Sequence, residues 1–234
     1  MQSDHGTAEH ITERMLCYDE RMPRPRIHDP DAVLDATESL VVRSGPAAVT
    51  TRAVAAATGM SNGAIYHTFG SRAELLARTW LRAAHRFQTL QTGLVDAALD
   101  SATPDAAEAV LAAAEAPLVF AGQFPTSARL LLIVPRDELL GDAPETVGAE
   151  LAATDKALVD LLIRLTRQLW DRRDRHAVDV LTLCLVDLPS AILLRRDRLT
   201  NPIAREQLRA AVRAVLAIGP PPSSATDHPV TRNS

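Results

Sequence analysis

The sequence predicts an all-α protein: an N-terminal three-helix domain containing a helix-turn-helix, followed by a larger helical C-terminal domain. Three observations carry this expectation. Apolar residues recur at helical spacing through most of the chain, capping residues, Pro and Gly punctuate it, and no alternating β-branched or aromatic run of useful length stands between turn signals. With 234 residues, 47% of them apolar and 23% charged, the chain can bury a sizeable core. Only 3% are aromatic, so that core must be mainly aliphatic.

The elements follow in order. Residues 1–27 lack a clear period, run into the stretch RMPRPRIHDP from Arg21 and read as a flexible arm. Asp29 is placed to cap a first helix that Pro30 opens, and Val33, Leu34, Thr37, Leu40 and Val41 form its apolar stripe. Gly45 and Pro46 end it. A second helix covers Thr51 to Thr58, with Thr50 as N-cap and Gly59 as its stop; a third runs from Ser61 to Phe69 and Gly70. The run SRAE then forms a capping box, in which Ser71 caps the Glu74 amide and Glu74 reaches back. The fourth helix continues from there to about residue 100, linking a first domain at 28–76 to a second at 77–218.

In that second domain Pro104 opens a helix to about Ala121, and Pro125 opens another that Pro135 kinks. A long helix covers roughly 143–171, the next runs from Arg175 to Arg195 and is bent or broken by Pro189, and the last spans the run NPIAREQLRAAVRAVLAI. That makes nine or ten helices. Residues 219–234 are Pro- and Ser-rich and read as a disordered tail.

The net charge of −4 argues against a globally basic surface. Between residues 21 and 86, however, nine Arg face five acids, an excess of 9 − 5 = +4 that leaves −8 for the rest. A modestly basic segment on an acidic body suits a local anion-binding module, and equally an ordinary solvated surface. Cys17 and Cys184 belong to no CxxC or Cys/His cluster, so neither a disulfide framework nor a metal site is expected and a cytoplasmic location is the default. The polar N-terminus does not read as a signal peptide, and charges are expected to interrupt every apolar stretch before it reaches membrane-spanning length.

The turn GMS between the second and third helices carries the chemistry. Gly59 can take the positive φ that ends one helix, Ser61 caps the next, and Val54, Met60, Ile65 and Phe69 are spaced to lock the pair against Leu40 and Val41. The second helix of such a pair enters the major groove N-terminus first. Asn62 offers an amide to base edges, Gly63 keeps the backbone close, and Ala64 can touch a thymine methyl. Gly inside a first helical turn costs about 1 kcal/mol relative to Ala, which suggests that close approach matters there.

The stretch TTRAVAAATGMSNGAIYHTFGSRAELL, Thr50 to Leu76, resembles the TetR family of transcriptional regulators, and the likeness spans residues 31–76. The matching features are Thr50 and Thr51, Ala55, Gly59, Ser61, Gly63, Tyr66, Phe69, Ser71, Arg72 and Leu75. The resemblance implies an N-terminal DNA-binding domain, a helical ligand-binding and dimerising domain, and double-stranded DNA as partner. It implies phosphate contacts from Thr50 and Thr51, and a guanine or backbone contact from Arg52. Ser61, Asn62, Gly63 and Ala64 would stand at the bases, with Tyr66 bonding a phosphate through its hydroxyl. Arg72 stands where the family usually has Lys, and Thr68 departs from the His or Tyr common before the Phe, shortening its reach. His67 is either a rim contact or a solvent-exposed bystander. Arg21, Arg24 and Arg26 either enter a flanking minor groove or belong to an untethered tail.

The second domain shows no enzymatic motif, metal cluster or cofactor loop, and DRRDRH (171–176) reads as a charged corner; the protein is expected not to be an enzyme and to need no cofactor or metal. Trp80, His85, Phe87, Phe120, Phe124 and Trp170 are either plain core or the wall of an apolar effector pocket. Arg129 or Arg136 would anchor an anionic group there or form surface salt bridges. Apolar stripes on the last two helices, about 175–218, suit a single-chain core; the resemblance assigns them to a homodimer interface. The expected function is a palindrome-binding repressor released by a small, largely apolar effector. The rivals are a regulator with no small-molecule ligand and a helical enzyme.

Overall fold

The structure is a computed structural model and describes residues 29–222 except Arg196. Among these residues ten α-helices and no strands occur. The helices are α1 (Pro30–Ser44), α2 (Thr51–Thr58), α3 (Asn62–Phe69), α4 (Arg72–Leu99), α5 (Ala106–Gln123), α6 (Pro125–Ala128), α7 (Arg136–Leu140), α8 (Gly148–Trp170), α9 (Arg175–Thr182) and α10 (Pro202–Ile218). The arm with Arg21, Arg24 and Arg26, as well as Cys17 and most of the expected tail, lies outside the described residues.

Local side-chain caps explain why the helices begin where they do. Thr50 Oγ1 accepts from the Ala53 amide at 3.1 Å, Ser61 Oγ from Ala64 at 3.1 Å, and Ser71 Oγ from Glu74 at 3.0 Å. Each such cap contributes about 1 kcal/mol. Gly59 ends α2 in the left-handed conformation at φ 71°, as the turn requires. Only half of the expected capping box forms, because the Ser71 amide donates to the Phe69 carbonyl and the Glu74 carboxylate turns to Arg78 at 2.8 Å. A guanidinium one turn along outcompetes an amide that already has a partner.

Three proline expectations are revised. Helix α5 starts at Ala106 with Asp105 as its cap, so Pro104 precedes the helix instead of opening it. At Pro135 the chain breaks rather than kinks: a π-helical turn over Arg129–Ile133 ends at extended Val134, and α7 starts anew. The ring of a proline disfavours helical geometry in the residue before it. Pro189, by contrast, neither breaks nor ends its helix. The helical run Arg175–Leu194 continues through it by widening into π-turns on both sides, at Leu183–Asp187 and Ser190–Leu194. A wider turn gives the pyrrolidine ring room that an α-turn denies it.

The same run overturns the expectation about apolar length. Its mean hydropathy is 2.0, and by length and composition it could cross a membrane, since only Asp179 and Asp187 interrupt it internally. Leu181, Cys184, Leu185 and Leu193 are nevertheless buried in the protein core. Burial pushes the Cys184 thiol up to about 11, leaving it an inert core residue.

Two clusters of buried side chains organise the fold. The first joins Val33, Val41, Val54, Ile65 and Phe69 of the N-terminal helices to Trp80 and Leu81 of α4, and also to Leu130, Leu139 and Val147. The second gathers α5, α8, α9 and α10 around Leu111, Leu165, Leu181 and Leu208. Helix α4 takes part in both, so it is the rod connecting the two halves.

Candidate nucleic-acid interface and the domain junction

Helix α3 divides cleanly. Ile65 and Phe69 are 2% and 5% exposed and pack on Val54, while Tyr66 on the opposite side is 69% exposed. Ser61, Asn62, Gly63, His67 and Thr68 are exposed with it, and Ala64 is half-buried. The outer face therefore carries an amide, hydroxyls, an imidazole and bare backbone, with no large apolar residue except the Tyr66 ring. A Cβ added at Gly63 would meet nothing, so the fold itself does not demand glycine there. Thr68 donates its hydroxyl to the Ala64 carbonyl at 2.9 Å, holding it along the helix and shortening its outward reach further.

Helix α2 presents Arg52 exposed beside Thr50, with Thr51 half-buried. Arg72 has another engagement. Its Nε donates to the Val49 carbonyl at 2.7 Å and its Nη2 to that of Pro46 at 2.6 Å, so it braces the turn between α1 and α2. Any phosphate must share that guanidinium with two backbone carbonyls.

Part of the local basic excess is spent inside the fold. Arg78, Arg82 and Arg86 lie one turn apart on α4 and meet acids at the junction between the halves. Arg82 Nη2 bonds Asp35 at 2.6 Å and Glu38 at 3.1 Å, and its Nη1 bonds Asp31 at 3.2 Å. Glu38 is 3% exposed and also accepts from Ser127 Oγ at 3.0 Å, which ties α1 directly to α6. Burial works against the Arg82 charge, but Glu38 and Asp35 outweigh it and raise its affinity for the proton. Sequence reasoning missed Glu38, although a carboxylate lying between Leu34 and Val41 on the apolar stripe of α1 signals a buried ion pair.

The expected aromatic wall is only partly assembled. Phe87 and Phe120 meet edge-on at 5.3 Å, and Phe120 and Phe124 lie 5.5 Å apart. Trp80 sits instead in the first core cluster under the Arg136 guanidinium, 4.7 Å from its ring, and Trp170 ends α8 in the second cluster. Seven residues of helix, about 10 Å, separate Trp80 from Phe87. Phe120 is wholly buried and fills core. Arg136 pairs with Asp155 at 2.7 Å and Arg129 with Asp197 at 3.7 Å, so both form salt bridges.

A groove of about 720 Å³ opens beside α4. Of the five expected pocket aromatics only Phe124 lines it, and its rim carries Arg78, Arg82, His85 and Arg86. Leu34, Leu81 and Leu90 form an apolar floor beneath that charged rim.

An exposed recognition helix braced by a buried helix-turn-helix core, on a large helical body, is the build of a DNA-binding regulator. Residues 33–79 match the family described as bacterial regulatory proteins, tetR family, so this part of the chain is similar to that family's N-terminal domain. No curated protein matches the sequence. Solved structures share the fold. One is a candidate transcriptional regulator from Pseudomonas aeruginosa PAO1, 21% identical over 80% of this chain and 88% of that one, with a TM-score of 0.61. A bacterial regulatory protein of the tetR family from Rhodococcus RHA1 is 18% identical over 83% and 98%, with a TM-score of 0.59. A TetR-family transcriptional regulator from Streptomyces coelicolor is 18% identical over 81% and 98%, with a TM-score of 0.53.

Proposed function

We propose that this regulator is a cytoplasmic homodimeric repressor that binds a palindromic operator and leaves it when a small effector binds the helical body. The division of α3 into a buried Ile65–Phe69 side and an exposed Asn62–Tyr66 side is the observation that carries the reading. Asn62, Gly63 and Ala64 read base edges, Thr50, Thr51 and Tyr66 position the backbone, and Arg52 adds charge at the rim. One eight-residue helix reads few base pairs, and a two-fold partner doubles the site.

The dimer contact is centred on the run Arg175–Leu194, where 33% of the most apolar window is buried within the chain and Leu183 is 38% exposed. Helix α10 contributes less than its stripe suggests. Its Ala204, Leu208 and Val212 are fully buried, and Arg205 and Arg209 clamp Glu115 of α5 at 3.0 Å each. Sedimentation of the protein alone and with a selected operator duplex tests the arrangement. Two chains in solution and two per palindrome are expected; a monomer that binds a single half-site would overturn it.

A further inference from the structure

The groove beside α4 has an uneven charge account. Arg82 is consumed by Asp31, Asp35 and Glu38, and Arg78 lies 2.8 Å from Glu74 and 3.6 Å from Glu150. The two acids on the rim, Asp31 and Glu150, thus already have cationic partners. Arg86 differs. Among the described residues its one hydrogen bond is from Nη1 to Ser127 Oγ at 3.2 Å, and its one ion pair, to Glu38 at 3.6 Å, is with a carboxylate that Arg82 already holds at 3.1 Å. A guanidinium has five N–H donors, so most of its capacity is uncommitted. Its carbon lies 5.7 Å from the centroid of the Phe124 ring, which is 37% exposed, and Leu34, Leu81 and Leu90 complete an apolar floor.

We propose that this groove is the effector site and that its ligand is an amphipathic organic anion, the acid group on Arg86 and the apolar body against Phe124 and Leu90. The proposal rests on the ligand-responsive reading above and names its ligand class. The space, about 720 Å³, lies within the roughly 300–1,000 Å³ of small-molecule sites. A fixed guanidinium beside an aromatic face recognises a carboxylate or sulfonate together with a hydrophobic body. Asp31 and Leu34 belong to α1, whereas His85, Arg86 and Phe124 belong to the body, so an occupant touches both halves. An acid on Arg86 also competes with Ser127 and Glu38, the contacts that tie α1 to α6.

The test is a titration of the full chain with 8-anilinonaphthalene-1-sulfonate, an aromatic anion whose fluorescence rises in apolar surroundings. One saturable site per chain is expected. Arg86→Met should weaken it at least tenfold and Arg86→Lys restore part of it. Thr89→Glu, an exposed rim change that leaves the core untouched, should weaken it as well. Unchanged affinity in both Arg86→Met and Thr89→Glu, or no saturable binding by the parent chain, overturns the proposal. DNA affinity of the same variants is measured separately without the probe. Lost probe binding with DNA binding intact supports the site, while lost DNA binding in the parent chain sinks the regulator reading instead.

Discussion

Gln91 Nε2 donates to the Ala113 carbonyl at 3.0 Å, and Ala113 is the residue whose helical acceptor position Pro117 cannot serve. Proline has no amide hydrogen, so the interior of α5 would otherwise leave a buried carbonyl without its helical partner. A side chain from α4 fills the gap, and Gln91 is itself 5% exposed. Replacing Gln91 with Leu should cost about 1–3 kcal/mol, the penalty of an unsatisfied buried acceptor. The same change in a Pro117→Ala background, where an amide is restored, should cost distinctly less. Chemical denaturation of the four chains checks this; additive effects would contradict the linkage.

Gly63 separates folding from recognition. Alanine there meets no neighbouring atom and is the better helix former by about 1 kcal/mol. Gly63→Ala should therefore hold or raise the melting temperature while weakening DNA binding, because in the proposed docking the added methyl would lie between the helix start and the groove. Equal DNA affinity in a stabilised variant would show that the backbone at Gly63 does not approach DNA closely.

The corner after α8 supplies a pH dependence. Arg172 donates to Asp174 twice, at 2.7 and 2.8 Å, and the same carboxylate caps α9 through the Ala177 amide. The Arg172 hydrogen bonds lead in holding the carboxyl down at about 2, against an ordinary 3.8. A lowered folded-state value means stability that is present above 3.8 and lost as pH falls through about 2. Asp174→Asn keeps the cap and removes the charge. It should destabilise the protein by about 1–3 kcal/mol at pH 7, and the difference from the parent chain should shrink towards pH 2. A deficit that stays constant down to that pH would contradict the account.

The N-terminal half was legible because its signals are local. Thr50, Gly59, Ser61 and Ser71 each set a cap or a turn through neighbours within four residues, and they do so in the structure. The apolar spacing of Val54, Ile65 and Phe69 likewise named the buried side of the helix pair. What escaped depends on the register between distant helices. Arg72 reaches back to Val49 and Pro46, Glu38 meets Arg82 across 44 positions, and Trp80 joins the first core cluster while Phe87 meets Phe120. The prolines divide the same way. Their presence was plain, but whether the chain breaks, as at Pro135, or widens into π-turns, as around Pro189, depends on the packing on either side.

The central claim is that the exposed side of α3 reads DNA sequence. Selection of bound fragments from random duplex DNA by the full chain tests it most directly, with Asn62→Ala and Tyr66→Phe selected in parallel. The expected result is a two-fold symmetric motif for the parent chain. Asn62→Ala should relax the preference at one position in each half, and Tyr66→Phe should weaken binding about equally across sequences, as loss of a phosphate contact does. Recovery of no enriched sequence by the parent chain, or an unchanged motif and affinity in both variants, would contradict it.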